Sequence, residues 1–143
     1  MTLTSEVSSM VTEIIRTLGE SNESLVTAES ITAGGVSAAI TSVEGSSQIF
    51  LGAIVAYQNH IKAHVLGIDE TVIATHTVYS QEVAVAMAKG AIKSFGTTWA
   101  IGTTGVAGPN PLDGHPVGAV WVAIEGPVSQ TIELSLSGER ESV

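Results

Sequence analysis

Segments with helical and with strand-like patterns alternate along most of the chain, and this alternation limits the folds that the chain can adopt. Apolar residues recur at helical spacing over residues 7–18, and Gly19 follows where a C-terminal cap is expected, so the chain is predicted to open with an amphipathic helix. Residues 25–28 are predicted as a short buried strand. Residues 30–35 are predicted as a turn that leads into a helix through residue 43.

The rest of the chain continues the alternation and ends in strands. The predicted elements are, in chain order, a strand at 48–57, a short helix at 59–66, a helix within 77–95 with Ser80 as N-cap, a strand at 99–103, a loop at 104–116 and two closing strands at 117–124 and 131–136. Alternating helices and strands are typical of the α/β class. We therefore predict a three-layer α/β/α sandwich with a mixed, mostly parallel sheet.

Length and composition fit one domain. The 143 residues lie within the usual size of a domain, so residues 1–143 are predicted to share a single core. Charged residues make up only 13% of the chain, below the usual value of about 25%, which is typical of a well-buried α/β domain. The chain has no cysteine, which excludes disulfides, thiolate metal sites and cysteine nucleophiles.

Charge and hydropathy argue against two classes of partner. Five Lys and Arg against fourteen Asp and Glu give a formal net charge of −9, so we predict no nucleic-acid partner. A small phosphorylated ligand remains compatible, because a few local donors can bind one phosphate. No stretch approaches the roughly 18 apolar residues that span a membrane, and no secretion signal opens the chain. We expect a cytoplasmic protein with no membrane partner.

Ser30 is a candidate nucleophile because of its place in the predicted fold. It follows the first predicted strand and precedes a predicted helix, where free backbone N–H groups can stabilise a developing oxyanion. The alternative is that Ser30 or Thr32 only caps the helix.

Tyr57, Asn59 and Lys62 lie at the end of the second predicted strand and on the half-turn that follows it. Lysine acts as a base only if burial lowers its pKa from about 10.4 by roughly three units. The alternative for Lys62 is a solvated surface charge. No Ser-x-x-Lys motif is present, since Ala33 stands three residues after Ser30, so a serine–lysine pair has to form through the fold.

A glycine-rich segment at 103–109 follows the next predicted strand. Its glycines would let backbone amides approach a phosphate or a carboxamide, but it lacks the P-loop ending and the dinucleotide fingerprint spacing, and a purely structural turn is the alternative. His60 and His64 have the i, i+4 spacing of a helical metal site without its accompanying Glu. We predict no metal site and no cofactor.

Four blocks of the sequence together resemble the CinA C-terminal domain family in order and spacing. They are AESITAG at 28–34, VAYQN at 55–59 with Lys62, TGVAGP at 104–109 and PVGAVW at 116–121. The resemblance runs from about residue 11 to residue 140. It implies an α/β/α domain that hydrolyses the carboxamide of nicotinamide mononucleotide, giving nicotinic acid mononucleotide and ammonia.

The resemblance also implies roles by position. Ser30 matches the family's serine, and Tyr57 and Lys62 match its Tyr-x-Asn-x-x-Lys block, so we expect attack by Ser30 with proton transfer by Lys62 assisted by Tyr57. Glu29 either orients Lys62 or is paired structurally. The implied substrate-binding residues are Glu29, Thr32, Gly34, Asn59, Thr104, Gly105 and Gly108. The implied partner is a small nucleotide substrate, with no cofactor.

Three departures from the family pattern affect these expectations. Ile31 replaces a common cysteine, and residues 50–53 lack an arginine that could meet phosphate or a neighbouring subunit. The family usually continues past the Arg140 position into a last helix, which this sequence lacks, so we expect a truncated chain or a homo-oligomer, a dimer, that covers the exposed sheet face. The alternative functions are a non-catalytic nucleotide-binding or interaction module and an amidase for another small carboxamide.

Overall fold

Five strands form one mixed sheet in the computed structural model, which describes residues 2–143. The strands are β1 (Leu25–Glu29), β2 (Phe50–Val55), β3 (Trp99–Gly105), β4 (Ala119–Glu125) and β5 (Gln130–Ser135), in the order β2-β1-β3-β4-β5. β1 pairs in parallel with both β2 and β3, whereas β4 runs antiparallel to β3 and β5. The predicted α/β class with a mixed sheet is confirmed, and its parallel pairing is confined to the first three strands.

The helices begin and end largely where the sequence predicts. They are α1 (Ser5–Glu20), α2 (Gly35–Thr41), α3 (Asn59–Leu66), α4 (Glu70–His76) and α5 (Gln81–Phe95). The bounds of α3 match the prediction, and Ser80 is the N-cap of α5, accepting a 3.3 Å hydrogen bond from the Val83 N–H. α4 was not predicted. Among residues 2–143 no helix has the length and apolar character that crossing a membrane requires.

The helices lie in two layers, one on each face of the sheet. Successive residues of a strand point to opposite faces, so neighbouring residues of β1 pack against different layers. Leu25 belongs to a buried cluster with residues of α1 and α2, whereas Val26 belongs to a cluster with residues of α3 and α5. All five residues of β1 are buried, as expected for a strand covered on both faces. The predicted three-layer sandwich is confirmed.

Two glycines allow α5 to pack closely against its neighbours. A Cβ atom on Gly102 of β3 would lie 2.3 Å from the Ala84 carbonyl oxygen, and one on Gly90 of α5 would lie 2.1 Å from the Leu66 carbonyl oxygen. α5 therefore contacts both the sheet and the last turn of α3. These contacts hold α3, which carries Lys62, against the rest of the fold.

The segment that departs from the family pattern before Tyr57 has a structural role in this chain. Gly52 has a φ of +151° next to an irregularity in the pairing of β1 with β2. A Cβ atom there would lie 2.9 Å from the ring of Phe95, at the end of α5. Gly52 therefore packs against the end of α5, and no residue of 50–53 takes the place of the family's arginine.

Candidate active site

The candidate site lies at the edge of the sheet where the three parallel strands end. Ser30 follows β1, Tyr57 follows β2 by two residues, and Gly105 is the last residue of β3. Ligands of open α/β sheets bind outside the carboxyl ends of the strands. A cavity of about 460 Å³ opens there, lined by Ser30, Ile31, Ala33, Tyr57, Asn59, Lys62, Val78, Tyr79, Gly105, Ala107, Gly108, Leu112, Arg140 and Glu141.

Ser30 and Lys62 are in direct contact at the buried floor of this cavity. The Lys62 Nζ atom lies 3.1 Å from the Ser30 Oγ atom, and it also donates a 3.0 Å hydrogen bond to the Tyr57 carbonyl oxygen. The exposed fraction is 7% for Ser30 and 1% for Lys62. The two side chains that a lysine-assisted nucleophile requires are therefore together, although 32 positions separate them in the sequence.

The environment of Lys62 favours its neutral form. Burial lowers the pKa of Lys62 from 10.5 to about 8. Within residues 2–143, no carboxylate lies within ion-pair distance of its ammonium group to counter this effect. Lys62 therefore loses its proton at a lower pH than an exposed lysine does, and its burial excludes a solvated surface charge.

Glu29 does not pair with Lys62 but holds the turn that carries Ser30. Its carboxylate is fully buried and accepts hydrogen bonds from two hydroxyls and three backbone N–H groups. The donors are the hydroxyls of Thr27 (3.1 Å) and Thr32 (2.6 Å) and the N–H groups of Gly34 (3.0 Å), Val36 (3.0 Å) and Ser37 (2.8 Å). Burial alone would raise the pKa of Glu29, but these hydrogen bonds outweigh burial and lower it, so the carboxylate is ionised.

The sequence predicts that free N–H groups where α2 begins stabilise an oxyanion, but Glu29 already uses several of these groups. The N–H groups of Gly34, Val36 and Ser37 point at the Glu29 carboxylate, so these donors are already occupied. In the turn itself, neither the Ile31 N–H nor the Thr32 N–H donates a hydrogen bond within residues 2–143. The donors still free for a ligand therefore come from the turn and not from the helix.

Four of the residues expected to bind substrate lie behind the cavity wall. Thr32 contacts both Glu29 and Thr103, the latter at 2.8 Å between the hydroxyl oxygens, and the Gly34 N–H is used by Glu29. The Thr104 hydroxyl is buried and donates a 2.8 Å hydrogen bond to the Val78 carbonyl oxygen. Glu29, Thr32, Gly34 and Thr104 are thus placed to position the wall and not to touch a ligand. The reason is that the side chains of Glu29, Thr32 and Thr104 and the N–H group of Gly34 are already paired within the protein.

The other expected residues line the cavity itself. Asn59 and Tyr57 are exposed at its rim, and Gly105 and Gly108 contribute backbone. Tyr57 contacts Lys62 through its backbone carbonyl, while its hydroxyl accepts a hydrogen bond from the Arg140 guanidinium. The backbone carbonyl of Tyr57 therefore contacts Lys62 and its hydroxyl contacts Arg140, two separate contacts that the sequence alone does not predict.

Sequence reasoning did not identify Tyr79, Leu112 or Arg140 as cavity residues. Burial, the nearby Asp113 carboxylate and Tyr57 raise the pKa of Tyr79. Its ring meets the His115 ring edge to face at a centroid distance of 6.4 Å. Arg140 comes from the end of the chain and donates a 2.6 Å hydrogen bond to the Gly108 carbonyl oxygen. Arg140 stands at a position that the family resemblance marks, but only the fold brings these three segments to the cavity.

The histidines do not form a metal site with acidic partners. Within the part of the chain that the structure describes, no three His, Asp or Glu side chains come together in a way that could hold a metal ion. His60 and His64 are both exposed, and the His64 Nδ1 atom lies 2.9 Å from the His60 carbonyl oxygen. Their i, i+4 spacing is that of an ordinary helix surface.

Comparison with known proteins identifies the family. The model of the CinA C-terminal domain matches residues 7–143, and the chain belongs to that family. A CinA-like protein from Synechococcus sp. (strain RCC307) is 41% identical over 120 residues, which cover 83% of this chain and 29% of that protein. One from Prochlorococcus marinus (strain MIT 9215) is 44% identical over 115 residues, covering 80% of this chain and 27% of that protein. The chain thus spans less than a third of these curated relatives.

Solved structures agree with this assignment. A competence/damage inducible protein from Agrobacterium tumefaciens is 28% identical with a TM-score of 0.92, covering 99% of this chain and 88% of that one. A competence-damaged protein (CinA) superfamily protein from Escherichia coli is 26% identical with a TM-score of 0.91, covering 99% of this chain and 84% of that one. The three-layer fold is therefore the fold of CinA superfamily structures.

Proposed function

We propose that the chain hydrolyses the carboxamide of nicotinamide mononucleotide to nicotinic acid mononucleotide and ammonia. The observation that carries the proposal is the buried contact between Ser30 Oγ and Lys62 Nζ at the floor of a cavity. The substrate is the one that the resemblance of the four sequence blocks implies, and membership of the CinA C-terminal domain family supports this choice.

The first step uses the lowered pKa of Lys62. Neutral Lys62 takes the proton of the Ser30 hydroxyl while Oγ attacks the carboxamide carbon, which converts the carbonyl oxygen into an oxyanion. The hydrogen bond from Nζ to the Tyr57 carbonyl keeps the amine directed at Oγ. The unused N–H group of Ile31, which lines the cavity, is our candidate for binding the oxyanion.

The remaining steps release the two products. The tetrahedral intermediate collapses as the protonated Lys62 gives its proton to the amide nitrogen, so the C–N bond breaks, ammonia leaves and an ester forms on Ser30. A water molecule then attacks this ester with Lys62 again as the base, and Ser30 recovers its proton. The sum is one amide and one water converted to one acid and one ammonia.

The walls of the cavity suit a planar aromatic amide. Tyr57 and Tyr79 lie on its lining, together with the apolar side chains of Ile31 and Leu112. Aromatic rings pack favourably against one another in offset or edge-to-face arrangements. A pyridine ring carrying the carboxamide could therefore be held by these side chains while the amide faces Ser30.

An amidase for a different small carboxamide is the second candidate. It is favoured by residues 50–53, which lack the family's arginine and in which Gly52 packs against Phe95. The same Ser30 chemistry would serve either substrate. The two candidates differ in whether removing the phosphate from the substrate changes the rate.

The experiment is ammonia release from nicotinamide mononucleotide by the purified chain, with and without EDTA. We expect turnover that survives EDTA and falls by at least about 10³-fold in Ser30→Ala and Lys62→Met, as when one member of a catalytic unit is removed. Lys89→Met removes an exposed lysine of α5 and is the matched control. Absence of turnover in a folded wild-type chain would favour a non-catalytic binding module, and unchanged turnover in Ser30→Ala would exclude the mechanism.

We also propose that the chain forms a homodimer through β5. Ile132 and Leu134 of this edge strand and the following Leu136 are exposed on one face. An edge strand with exposed apolar side chains can pair with a second copy of itself about a two-fold axis. Light scattering after size exclusion should give twice the chain mass, and Leu134→Glu should give the monomer. A monomeric wild-type chain would contradict this proposal.

A further inference from the structure

We propose that Arg140 recognises the phosphate of the substrate and thereby sets a preference for phosphorylated over unphosphorylated amides. The inference rests on the proposed function and deepens it, because it concerns the part of the ligand that does not react. Arg140 lines the same cavity as Ser30 and Lys62. Ser30 and Lys62 are buried at the floor, whereas Arg140 is exposed at the rim, so one cavity of about 460 Å³ has the proposed reacting groups at one end and Arg140 at the other.

The distribution of positive charge singles out Arg140. The chain has only five Lys and Arg residues against fourteen Asp and Glu, so its overall field repels an anionic ligand. Two of the five line the cavity, Lys62 and Arg140. Arg16 is paired with two glutamates on α1, and Lys89 and Lys93 are exposed on α5. Since Lys62 acts as the base, Arg140 is the permanent positive charge at the cavity.

The guanidinium of Arg140 has donors left for a ligand. It donates to two neutral oxygens, the Gly108 carbonyl and the Tyr57 hydroxyl. A guanidinium has five N–H donors, so these two bonds leave three, and the planar group binds phosphate with two parallel hydrogen bonds. Within residues 2–143, no carboxylate lies within ion-pair distance of Arg140. The two bonds orient the group without neutralising it.

Glu141 offers a test of the electrostatic argument. It is the acidic side chain on the cavity lining, and it is exposed at the same rim as Arg140. A carboxylate there repels phosphate, so its neutralisation should act in the opposite direction to neutralisation of Arg140. A phosphate that binds away from this rim predicts no effect of Glu141 on the preference for the phosphorylated substrate.

The experiment compares nicotinamide mononucleotide with nicotinamide riboside, which differ only by the phosphate. In Arg140→Gln we expect kcat/KM for the mononucleotide to fall by about 30-fold, mainly through a higher KM, as when one charged hydrogen bond is lost. For the riboside we expect kcat/KM to stay within about threefold of the wild-type value. Arg140→Lys should recover part of the loss, and Glu141→Gln should raise the mononucleotide value about twofold to fivefold. Lys93→Gln, which removes an exposed charge of α5, should leave both values unchanged.

Two results would overturn the inference. Equal losses for both substrates in Arg140→Gln would mean that the arginine acts only through the structure of the rim, and equal wild-type values for both would mean that phosphate is not recognised. Calorimetric binding of the same two compounds to Ser30→Ala separates this inference from the proposed function. Tighter binding of the mononucleotide that depends on Arg140 supports phosphate recognition even if the wild-type chain releases no ammonia, and binding that ignores the phosphate refutes it.

Discussion

The Nζ atom of Lys62 lies 3.1 Å from the Oγ atom of Ser30, at the end of a lysine side chain that is 1% exposed. The lysine is brought there by α3, and the serine by the turn after β1. Burial that prepares the lysine to act as a base also imposes a cost on the folded state whenever the lysine is protonated. Activity and stability therefore both depend on whether Lys62 is protonated, and both can be measured as the pH changes.

The pH dependence of the rate should report the ionisation of Lys62. Because burial lowers the pKa of Lys62 to about 8, kcat/KM should rise with pH and level off above an apparent pKa near that value. Ammonia release measured between pH 6 and pH 10 checks this, with substrate stability tested at each pH. Lys62→Arg keeps the positive charge but cannot lose its proton in this range, so it should be inactive throughout. A rate that is flat across this range would contradict the assignment of the base.

The stability of the fold should rise with pH for the same reason. Well below pH 8 the folded protein carries the full cost of a buried charge. As the pH rises through 8 the folded lysine loses its proton, while the unfolded one, whose pKa is 10.5, still keeps it. This contribution adds on the order of 1 to 2 kcal/mol to the free energy of unfolding between pH 8 and pH 9.5. Lys62→Met lacks it.

Urea unfolding of the wild type and Lys62→Met at matched pH values measures this contribution. The stability advantage of Lys62→Met should be largest at pH 7 and should shrink by on the order of 1 to 2 kcal/mol between pH 8 and pH 9.5. The comparison cancels the titration of other groups, which both proteins share. A difference that stays constant with pH would mean that Lys62 has an ordinary pKa in the folded protein.

The fold was largely predictable from the sequence because most of its elements bury a regular apolar pattern. The bounds of α3 and the N-cap of α5 follow from local signals, a helical segment and a serine that accepts a hydrogen bond from the backbone. α4 was missed because its seven residues include no buried residue, so it carries no apolar periodicity.

The site was predictable only in part, because its contacts join distant segments. Ser30 and Lys62 could be named as candidates, but their contact across 32 positions depends on two parallel strands ending at one edge. The hydrogen bond between Arg140 and the Tyr57 hydroxyl spans 83 positions and has no local signal. For Glu29, the sequence could not decide between pairing with Lys62 and binding the turn, since both would place the carboxylate beside Ser30.

Neutralising the Glu29 carboxylate should destabilise the turn that holds Ser30. In Glu29→Gln an amide replaces a buried carboxylate that accepts five hydrogen bonds, so donors face an NH₂ group and lose their acceptor. We expect a loss of about 3 kcal/mol in the free energy of unfolding, since donors to a buried charge are left unsatisfied. Urea unfolding at pH 7 measures it.

The exposed Glu44 provides the matched control, because Glu44→Gln should change the free energy of unfolding by less than about 0.5 kcal/mol. The hydrogen bonds that outweigh burial lower the pKa of Glu29 below 4.5. The stability that its ionised form contributes is therefore present above pH 4.5 and is lost as the pH falls through the lowered pKa. The difference between wild type and Glu29→Gln should shrink in acid. Equal stability at pH 7 would show that the carboxylate does not hold the turn.

Adding one methyl group between α3 and α5 should disturb both the fold and the reaction. Alanine is favoured over glycine inside a helix by about 1 kcal/mol, yet the new Cβ atom of Gly90→Ala would lie 2.1 Å from the Leu66 carbonyl oxygen. Since α3 has to move away, we expect a net loss of about 2 kcal/mol and a lower kcat, because α3 carries Lys62. Gly35→Ala makes the same change at the start of α2, where nothing lies within 4 Å of the new Cβ atom, so stability should be unchanged or slightly higher. If both variants unfold at the wild-type urea concentration with the wild-type kcat, the close packing of α5 against α3 does not hold Lys62 in place.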